Sequence, residues 1–142
     1  MLLSRTAEYA VQALIYLATR PDDGLTGARE VASYLGTPAP YLSNILKKLV
    51  QHRLLVSTRG RGGGFRVVAT ARRLSVLHIV ELIDGPHAFE GCVLGLKRCA
   101  DATACPVHHV WKPLKDRMLR TLAGQTIGGM ADLVRAGRYR LV

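Results

Sequence analysis

Apolar residues recur at helical spacing through most of the chain and at strand spacing in one short region. The first pattern predicts a helix from Arg5 to Thr19, with Ser4 as its N-cap. Pro21 and Gly24 would end this segment. The buried face of the helix is predicted to consist of residues three and four apart, namely Ala7, Ala10, Val11, Leu14 and Ala18.

Two shorter helices are predicted next. Thr26 can cap a helix that runs to Leu35, and Gly36 would stop it. Thr37 can then cap a third helix that continues to Leu49. Two short helices joined by a tight turn that contains glycine are typical of a helix-turn-helix.

A glycine-rich tip separates two β-rich runs after the third helix. The runs cover residues 54–58 and 65–68, and the tip between them reads Arg-Gly-Arg-Gly-Gly-Gly. This arrangement predicts a β-hairpin. A hairpin directly after a recognition helix is the wing of a winged helix. A phosphate-binding nucleotide loop is disfavoured, because a strand follows the glycines where such a loop needs a helix.

The C-terminal half returns to helical periodicity after an irregular segment. Ser75 can cap a fourth helix, and residues 87–105 show no clean period. Pro106 is predicted to start a long helix, and Thr126 to cap a short last one. The predicted fold class is therefore mainly α with a small β-hairpin wing, a winged helix-turn-helix followed by a long C-terminal helix.

The charge of the chain points to an anionic partner. Its 142 residues include 20 Lys and Arg against 10 Asp and Glu, a formal net charge of +10, and no acidic residue occurs from Val31 to Val80. Nucleic acid is the first candidate and a membrane surface the second. The apolar stretch from Ala10 to Ala18 is much shorter than the roughly 20 residues of a membrane span. We therefore expect a cytoplasmic protein with no membrane partner.

The predicted DNA-reading surface combines the third helix with the wing. Basic residues are concentrated here. Such residues strengthen duplex binding, because neutralised phosphates release counterions. The glycines of the wing let the backbone approach DNA closely, and arginine suits a narrow minor groove. The candidate DNA-binding residues are Thr37, Ala39, Tyr41, Ser43, Asn44, Lys47, Lys48, Arg59 and Arg61.

Three cysteines form a second candidate site at Cys92, Cys99 and Cys105. Six residues separate the first two and five the last two, a wider spacing than that of typical zinc knuckles. Thiolates spread around an irregular loop suit an iron–sulfur cluster. His108, about one helical turn after Cys105 and on the same side, is a candidate fourth ligand. Inert thiols, a zinc site and a thiol redox switch remain alternatives.

With these features the chain resembles the IscR/NsrR-type family of bacterial winged-helix iron–sulfur regulators over nearly its whole length. The resemblance rests on the motifs at residues 6–10, 59–65 and 81–86, and on three cysteines before a long helix. It implies a homodimer whose long helices form most of the interface, with Val110, Trp111, Leu114 and Met118 as contact residues. It also implies that two reading heads straddle a palindromic operator on double-stranded DNA.

The resemblance further implies that the three cysteines bind a [2Fe–2S] or [4Fe–4S] cluster. Some members take the fourth ligand from a histidine three residues after the last cysteine, which matches His108. Others use an acidic residue in the first helix of the partner subunit, and Glu8 matches this position. In the family, five residues usually separate the first two cysteines, whereas six do so here.

The expected function follows from these features together. The chain is predicted to be a dimeric transcription regulator whose operator affinity depends on a cluster that senses redox state, nitric oxide or iron–sulfur status. The alternative is a cluster-free repressor that responds to thiol oxidation or zinc. Residues 1–85 would bind DNA, residues 86–106 the cluster, and residues 107–142 would form the dimerisation and C-terminal helices. An enzyme is not expected, since no Ser–His–Asp set, carboxylate pair or nucleotide loop is present.

Overall fold

The computed structural model describes residues 3–142, which form six α-helices and one two-stranded antiparallel sheet. This arrangement confirms the predicted fold class. Two short 3-10 helices, Ala69–Arg73 and Asp101–Thr103, were not predicted. In chain order the elements are α1 Arg5–Ala18, α2 Ala28–Leu35, α3 Ala39–Gln51, β1 Leu55–Thr58, β2 Gly64–Val67, α4 Val76–Asp84, α5 His108–Gly124 and α6 Ile127–Arg135.

Helix α1 lies at the centre of the hydrophobic core. The five residues predicted for its buried face are all buried, and so are Ala13, Ile15 and Leu17 on its other sides. The buried surface is wider than the predicted stripe because α2, α3, α4, α6 and β2 all pack around this helix. Ile127 and Ala131 of α6 are fully buried, so the C-terminal helix contributes to the same core.

Three predicted N-caps are confirmed. The hydroxyl oxygens of Ser4, Ser75 and Thr126 accept hydrogen bonds from backbone N–H groups three residues later, at 3.0, 3.1 and 3.1 Å. Each bond satisfies a donor that the first turn of a helix would otherwise leave without a partner. The starts of α1, α4 and α6 are therefore fixed by local sequence.

Two predicted N-caps are wrong. Gly27 is the N-cap of α2, because the backbone of Thr26 pairs instead with Phe65 through hydrogen bonds of 3.0 and 2.8 Å. Pro38 is the N-cap of α3, and its predecessor Thr37 is buried, with no hydrogen-bond partner for its hydroxyl among residues 3–142. At Thr26 the pairing with the hairpin overrides the local capping preference, and at Thr37 the helix begins one residue later than predicted.

The helix-turn-helix and the wing follow the prediction closely. Gly36 ends α2 in the left-handed conformation, with φ of 64°, which explains why glycine stands there. Strands β1 and β2 pair from Leu55 opposite Val67 to Thr58 opposite Gly64, which leaves residues 59–63 as the wing tip. Thr26 adds an antiparallel bridge to Phe65 and so ties the hairpin to the start of α2.

Helix α5 begins later than predicted. Its N-cap is Val107, and Cys105 lies outside the helix, where its carbonyl oxygen accepts a 3.0 Å bond from the N–H of His108. The helix contains Pro113, which cannot donate a backbone hydrogen bond. Within residues 3–142, no helix combines the length and the apolar character that crossing a bilayer would require.

Candidate DNA-binding surface and cysteine site

Helix α3 divides its residues between the core and one exposed face. Leu42, Ile45, Leu46 and Leu49 are buried, which fixes the rotation of the helix. The opposite face carries most of the predicted DNA-binding side chains. Tyr41, Asn44, Lys47 and Lys48 are exposed, Ala39 and Ser43 are half-buried, and Thr37 is buried. Thr37 therefore offers little surface to a ligand, whereas the others face outward together.

Tyr41 connects this face to α1. Its hydroxyl lies 3.2 Å from the hydroxyl of Thr6, and its ring meets the ring of Tyr9 edge-on with centroids 5.8 Å apart. The side chain is 37 % exposed, so Tyr41 is available at the surface while it also connects α3 to α1. The first turns of α1 and the start of α3 are thus linked by side chains.

The wing tip exposes two arginines on a glycine framework. Arg59 and Arg61 are both exposed. Gly60 and Gly62 have φ of 92° and 75°, which favours glycine at both positions. The alternation of arginine and glycine thus produces a tight loop that projects its positive charge into solvent.

The basic residues between Lys47 and Arg73 carry almost no compensating charge. Within residues 3–142, only Arg72 of these eight forms an ion pair, with Asp22 at 3.8 Å and Asp132 at 3.9 Å. The other seven are Lys47, Lys48, Arg53, Arg59, Arg61, Arg66 and Arg73. Their free charges give the face a positive potential suited to a polyanion.

The three cysteines lie on the segment between α4 and α5, and the structure arranges them with His108 as two pairs. The sulfurs of Cys92 and Cys105 are 3.4 Å apart, and the sulfur of Cys99 lies 3.5 Å from Nδ1 of His108. Cys105 does not lie one turn before His108 within the helix, because α5 begins at His108, and the cysteine sulfur that His108 contacts is that of Cys99. In the part of the chain that the structure describes, no group of three or more side chains is close enough to hold one metal ion.

Backbone hydrogen bonds hold the cysteine segment in this shape. The N–H of Cys92 donates to the carbonyl of Leu96 at 3.0 Å, and the N–H of Cys99 donates to that of Glu90 at 2.9 Å. Nζ of Lys115 in α5 donates to the carbonyl of Gly91 at 3.3 Å. The segment is therefore fastened both to itself and to α5.

The surroundings of Cys92 lower the pKa of its thiol. A hydrogen bond from the backbone N–H of Leu94 holds the pKa of Cys92 below its ordinary value, and burial opposes this effect. The thiol of Cys105 and the charge of Lys115 lower the pKa of Cys92 further. A thiolate is both the nucleophilic and the metal-binding form of cysteine.

His108 is buried, with 7 % of its surface exposed, and both of its ring nitrogens have partners. Nε2 lies 2.8 Å from Oδ1 of Asp101, and Nζ of Lys112 donates to both carboxylate oxygens of Asp101 at 2.9 Å. Hydrogen bonds from His108 and Lys112 lower the pKa of Asp101, and Asp101 in turn raises the pKa of Lys112. Neither Asp101 nor Lys112 was predicted, since a lone Asp and a lone Lys in a charged segment carry no motif.

The other candidate fourth ligand, Glu8, lies in the first turn of α1. Its carboxylate accepts a 3.2 Å bond from Arg5, and this hydrogen bond is the main reason that the pKa of Arg5 is raised. The N-cap of the same helix, Ser4, donates a 2.6 Å hydrogen bond to Asp84 at the end of α4. The start of α1 is thus joined to the point where the cysteine segment begins.

Helix α5 presents an apolar face that the protomer does not cover. Val110 and Leu114 are 54 % and 60 % exposed, while Trp111 and Met118 are half-buried. Val93, Leu94 and Leu96 of the cysteine segment are also at least half exposed. The predicted interface residues therefore lie on or beside a surface with little apolar contact inside the chain.

Comparison with known proteins identifies the family. The sequence model of the Rrf2 family, described as an iron-dependent transcriptional regulator, matches residues 3–135. The chain belongs to the Rrf2 family. Its members are transcriptional regulators and not enzymes, in agreement with the expectation from sequence, and Rrf2 proteins bind DNA.

Rrf2 relatives match along nearly the whole chain. A putative HTH-type transcriptional regulator of Aquifex aeolicus is 30 % identical over 135 residues, covering 94 % of this chain and 93 % of the relative. The HTH-type transcriptional regulator IscR of Cronobacter sakazakii is 26 % identical over 132 residues, covering 93 % of this chain and 81 % of the relative. These matches confirm the resemblance to IscR-type regulators that the motifs indicated.

Solved Rrf2 structures share the fold. CymR of B. subtilis, described as the global cysteine regulator, superimposes with a TM-score of 0.73 at 21 % identity, covering 92 % of this chain and 95 % of CymR. IscR of T. potens superimposes with a TM-score of 0.72 at 24 % identity, covering 97 % of this chain and 91 % of that IscR. Both likenesses confirm the winged-helix architecture.

Proposed function

We propose that this Rrf2 protein is a homodimeric transcription regulator whose affinity for a palindromic operator is controlled by an iron–sulfur cluster. The observation that carries the proposal is the pairing of four possible metal ligands, Cys92 with Cys105 and Cys99 with His108, on the segment between α4 and α5 and at the first residue of α5. Residues 1–85 would read DNA, residues 86–106 would hold the cluster, and residues 107–142 would supply the dimerisation and C-terminal helices.

The donors fit such a cluster in type and, within each pair, in spacing. Two thiolates on one tetrahedral metal, with bonds of about 2.3 Å, lie about 3.7 Å apart. The 3.4 Å between the sulfurs of Cys92 and Cys105 is close to this value, and the 3.5 Å between Cys99 and Nδ1 of His108 suits the shorter metal–nitrogen bond of about 2.1 Å. Because a [2Fe–2S] cluster takes two protein ligands on each iron, two pairs of donors favour it over a [4Fe–4S] cluster.

The same pairing favours His108 over Glu8 as the fourth ligand. His108 already lies beside Cys99, whereas the Glu8 carboxylate is engaged by Arg5 of its own helix. When bound, the cluster would supply a group that is altered by oxidation, nitric oxide or iron loss. The surrounding residues would transmit that change.

A chain of contacts connects the cysteine segment to the reading helix. Asp84 ends α4 just before the segment and accepts the hydrogen bond from Ser4. Two residues further along α1, Thr6 contacts Tyr41 on α3. Rearrangement of the cysteine segment would therefore change how α1 and α4 hold the reading helix of the same protomer.

Dimerisation would amplify that change. We propose that the apolar face of α5, with Val110, Trp111, Leu114 and Met118, packs against its copy. Two α3 helices and two wings would then meet a palindromic site with half-sites about one helical turn apart. A small change in their separation would alter affinity steeply, since both heads must fit together.

The test compares operator binding by cluster-loaded wild type with that of a variant in which Cys92, Cys99 and Cys105 are all alanine. We expect the two affinities to differ by at least tenfold under oxygen-free conditions, with iron and sulfide found only in the wild type. His108→Ala tests the fourth ligand and should lower cluster stability, with His109→Ala as its matched control because His109 is exposed at the adjacent helical position. Equal affinities for the loaded wild type and the triple variant would overturn cluster control.

A second candidate function is supported by the distance of 3.4 Å between the sulfurs of Cys92 and Cys105. In a cluster-free repressor, these two thiols could form a disulfide. Hydrogen peroxide would be the oxidant: it accepts two electrons and the two thiol protons and is reduced to two molecules of water. Mass spectrometry after peroxide treatment would find a Cys92–Cys105 disulfide with Cys99 still reduced. A colourless anaerobic preparation without iron would favour this candidate, and bound zinc would favour its zinc-responsive form.

A further inference from the structure

The buried His108 contacts one residue, Asp101, that is not among the proposed cluster ligands. Its Nδ1 faces Cys99, as a ligand would, but its Nε2 lies 2.8 Å from the carboxylate of Asp101. Asp101 is largely exposed, with a side-chain accessibility of 74 %, so burial does not hold it there. Its position is set by hydrogen bonds instead.

Lys112 holds the carboxylate from the other side. It donates to both oxygens of Asp101 at 2.9 Å. Lys112 follows His108 by four residues on α5, so the two side chains lie on the same face of the helix, one turn apart. A short 3-10 helix, Asp101–Thr103, presents the carboxylate to both. The imidazole, the carboxylate and the ammonium group thus form one hydrogen-bonded row that ends at Cys99.

We propose that Asp101 is a positioning residue for the cluster. Its carboxylate accepts a hydrogen bond from Nε2–H of His108, which leaves the lone pair on Nδ1 for the iron that Cys99 would bind. The inference rests on the proposed function. A hydrogen-bonded carboxylate fixes which ring nitrogen carries hydrogen, and it makes the other nitrogen a better donor. Lys112 keeps Asp101 in place.

The negative charge of Asp101 has a measurable consequence. It stabilises the oxidised cluster relative to the reduced one, because reduction adds an electron close to it. Asp101→Asn keeps an oxygen that can accept the hydrogen bond but removes the charge, so the midpoint potential should rise. Asp101→Ala removes both, and the cluster should also be lost to a chelator about tenfold faster, as is typical when a partner of a metal-bound histidine is removed.

The experiment uses the full-length protein in three forms, namely wild type, Asp101→Asn and Asp101→Ala, with Asp22→Asn as the matched control. Asp22 is 89 % exposed and pairs only with Arg72 in the described structure, so its loss changes the same charge away from the cysteines. Midpoint potential, rate of cluster loss to a chelator, and the nitrogen coupling in pulsed electron paramagnetic resonance of the reduced cluster are measured for each.

A readout without the cluster completes the test. Imidazole nitrogen shifts of the cluster-free protein should place the hydrogen of His108 on Nε2 in the wild type, and Asp101→Ala should abolish that preference. If Asp101→Ala does not fold, the potential of Asp101→Asn decides. Should the wild type bind no cluster at all, the proposed function fails. Should it bind one while both Asp101 variants match the wild type and Asp22→Asn in every readout, the positioning role alone is overturned.

Discussion

The hydroxyl groups of Thr6 and Tyr41 lie 3.2 Å apart and join the first helix to the reading helix. The ring of Tyr41 also packs edge-on against Tyr9 at 5.8 Å, a geometry that aromatic pairs favour. The exposed side chain therefore has a structural function as well as a place on the proposed DNA surface. Removal of the Tyr41 hydroxyl without loss of the ring separates the contribution of the hydrogen bond from that of the aromatic contact.

Tyr41→Phe should lower the free energy of unfolding by about 1 kcal/mol, since one hydrogen bond between partly exposed groups is lost and the ring contact remains. Urea unfolding of Tyr41→Phe, Thr6→Val and the double variant measures the coupling between the two hydroxyls. Tyr139→Phe is the control, because Tyr139 is 61 % exposed near the C-terminus. Additive losses in the double variant would mean that the two hydroxyls do not interact.

Gly64→Ala should destabilise the wing by more than the cost of placing alanine at an unfavourable φ. A Cβ at Gly64 would lie 2.6 Å from the carbonyl carbon and oxygen of Thr26, and φ is 152°. The bridge between Thr26 and Phe65 would have to open, so we expect a loss of more than about 2 kcal/mol. Gly60→Ala, also at positive φ but with nothing within 4 Å, should cost about 1 kcal/mol. Thermal unfolding compares them, and equal losses would exclude the clash.

Local sequence was sufficient to predict much of the framework. Ser75 and Thr126 cap their helices because the hydroxyl and the N–H three residues later belong to the same turn. The wing was predictable because two β-rich runs separated by a short glycine-rich tip are typical of a hairpin, and glycine permits the positive φ values found in the tip. In each case the decisive interaction joins residues that are near one another in sequence.

The errors arose where distant residues compete. Thr26 does not cap α2, because its backbone pairs with Phe65, which lies 39 residues later, and no local pattern carries that information. The cysteines were recognisable by type, but their pairing depends on how residues 92–105 fold. Asp101 could not be predicted for the same reason, since its partners His108 and Lys112 belong to the next helix.

Leu114→Glu should convert the proposed dimer into monomers. Leu114 is 60 % exposed in the protomer, and a carboxylate there would be buried without a partner if two α5 helices pack together. Sedimentation velocity at micromolar concentration measures the change. Ala123→Glu is the control, because Ala123 is exposed and lies nine residues later, about half a turn around the helix from Leu114. A variant that sediments like the wild type would place the interface elsewhere.

Arg59→Ala and Arg61→Ala should each weaken operator binding while leaving the oligomeric state unchanged. Both side chains are exposed at the wing tip, and neither has an ion-pair partner within residues 3–142, so their charge is available to phosphates. Each loss should reduce the slope of log K against log salt by about 1. Fluorescence anisotropy over a salt series measures this slope, with Arg138→Ala, an exposed arginine near the C-terminus, as control. An unchanged slope would mean that the wing does not contact DNA, and a loss of dimers would mean that the hairpin has a different role.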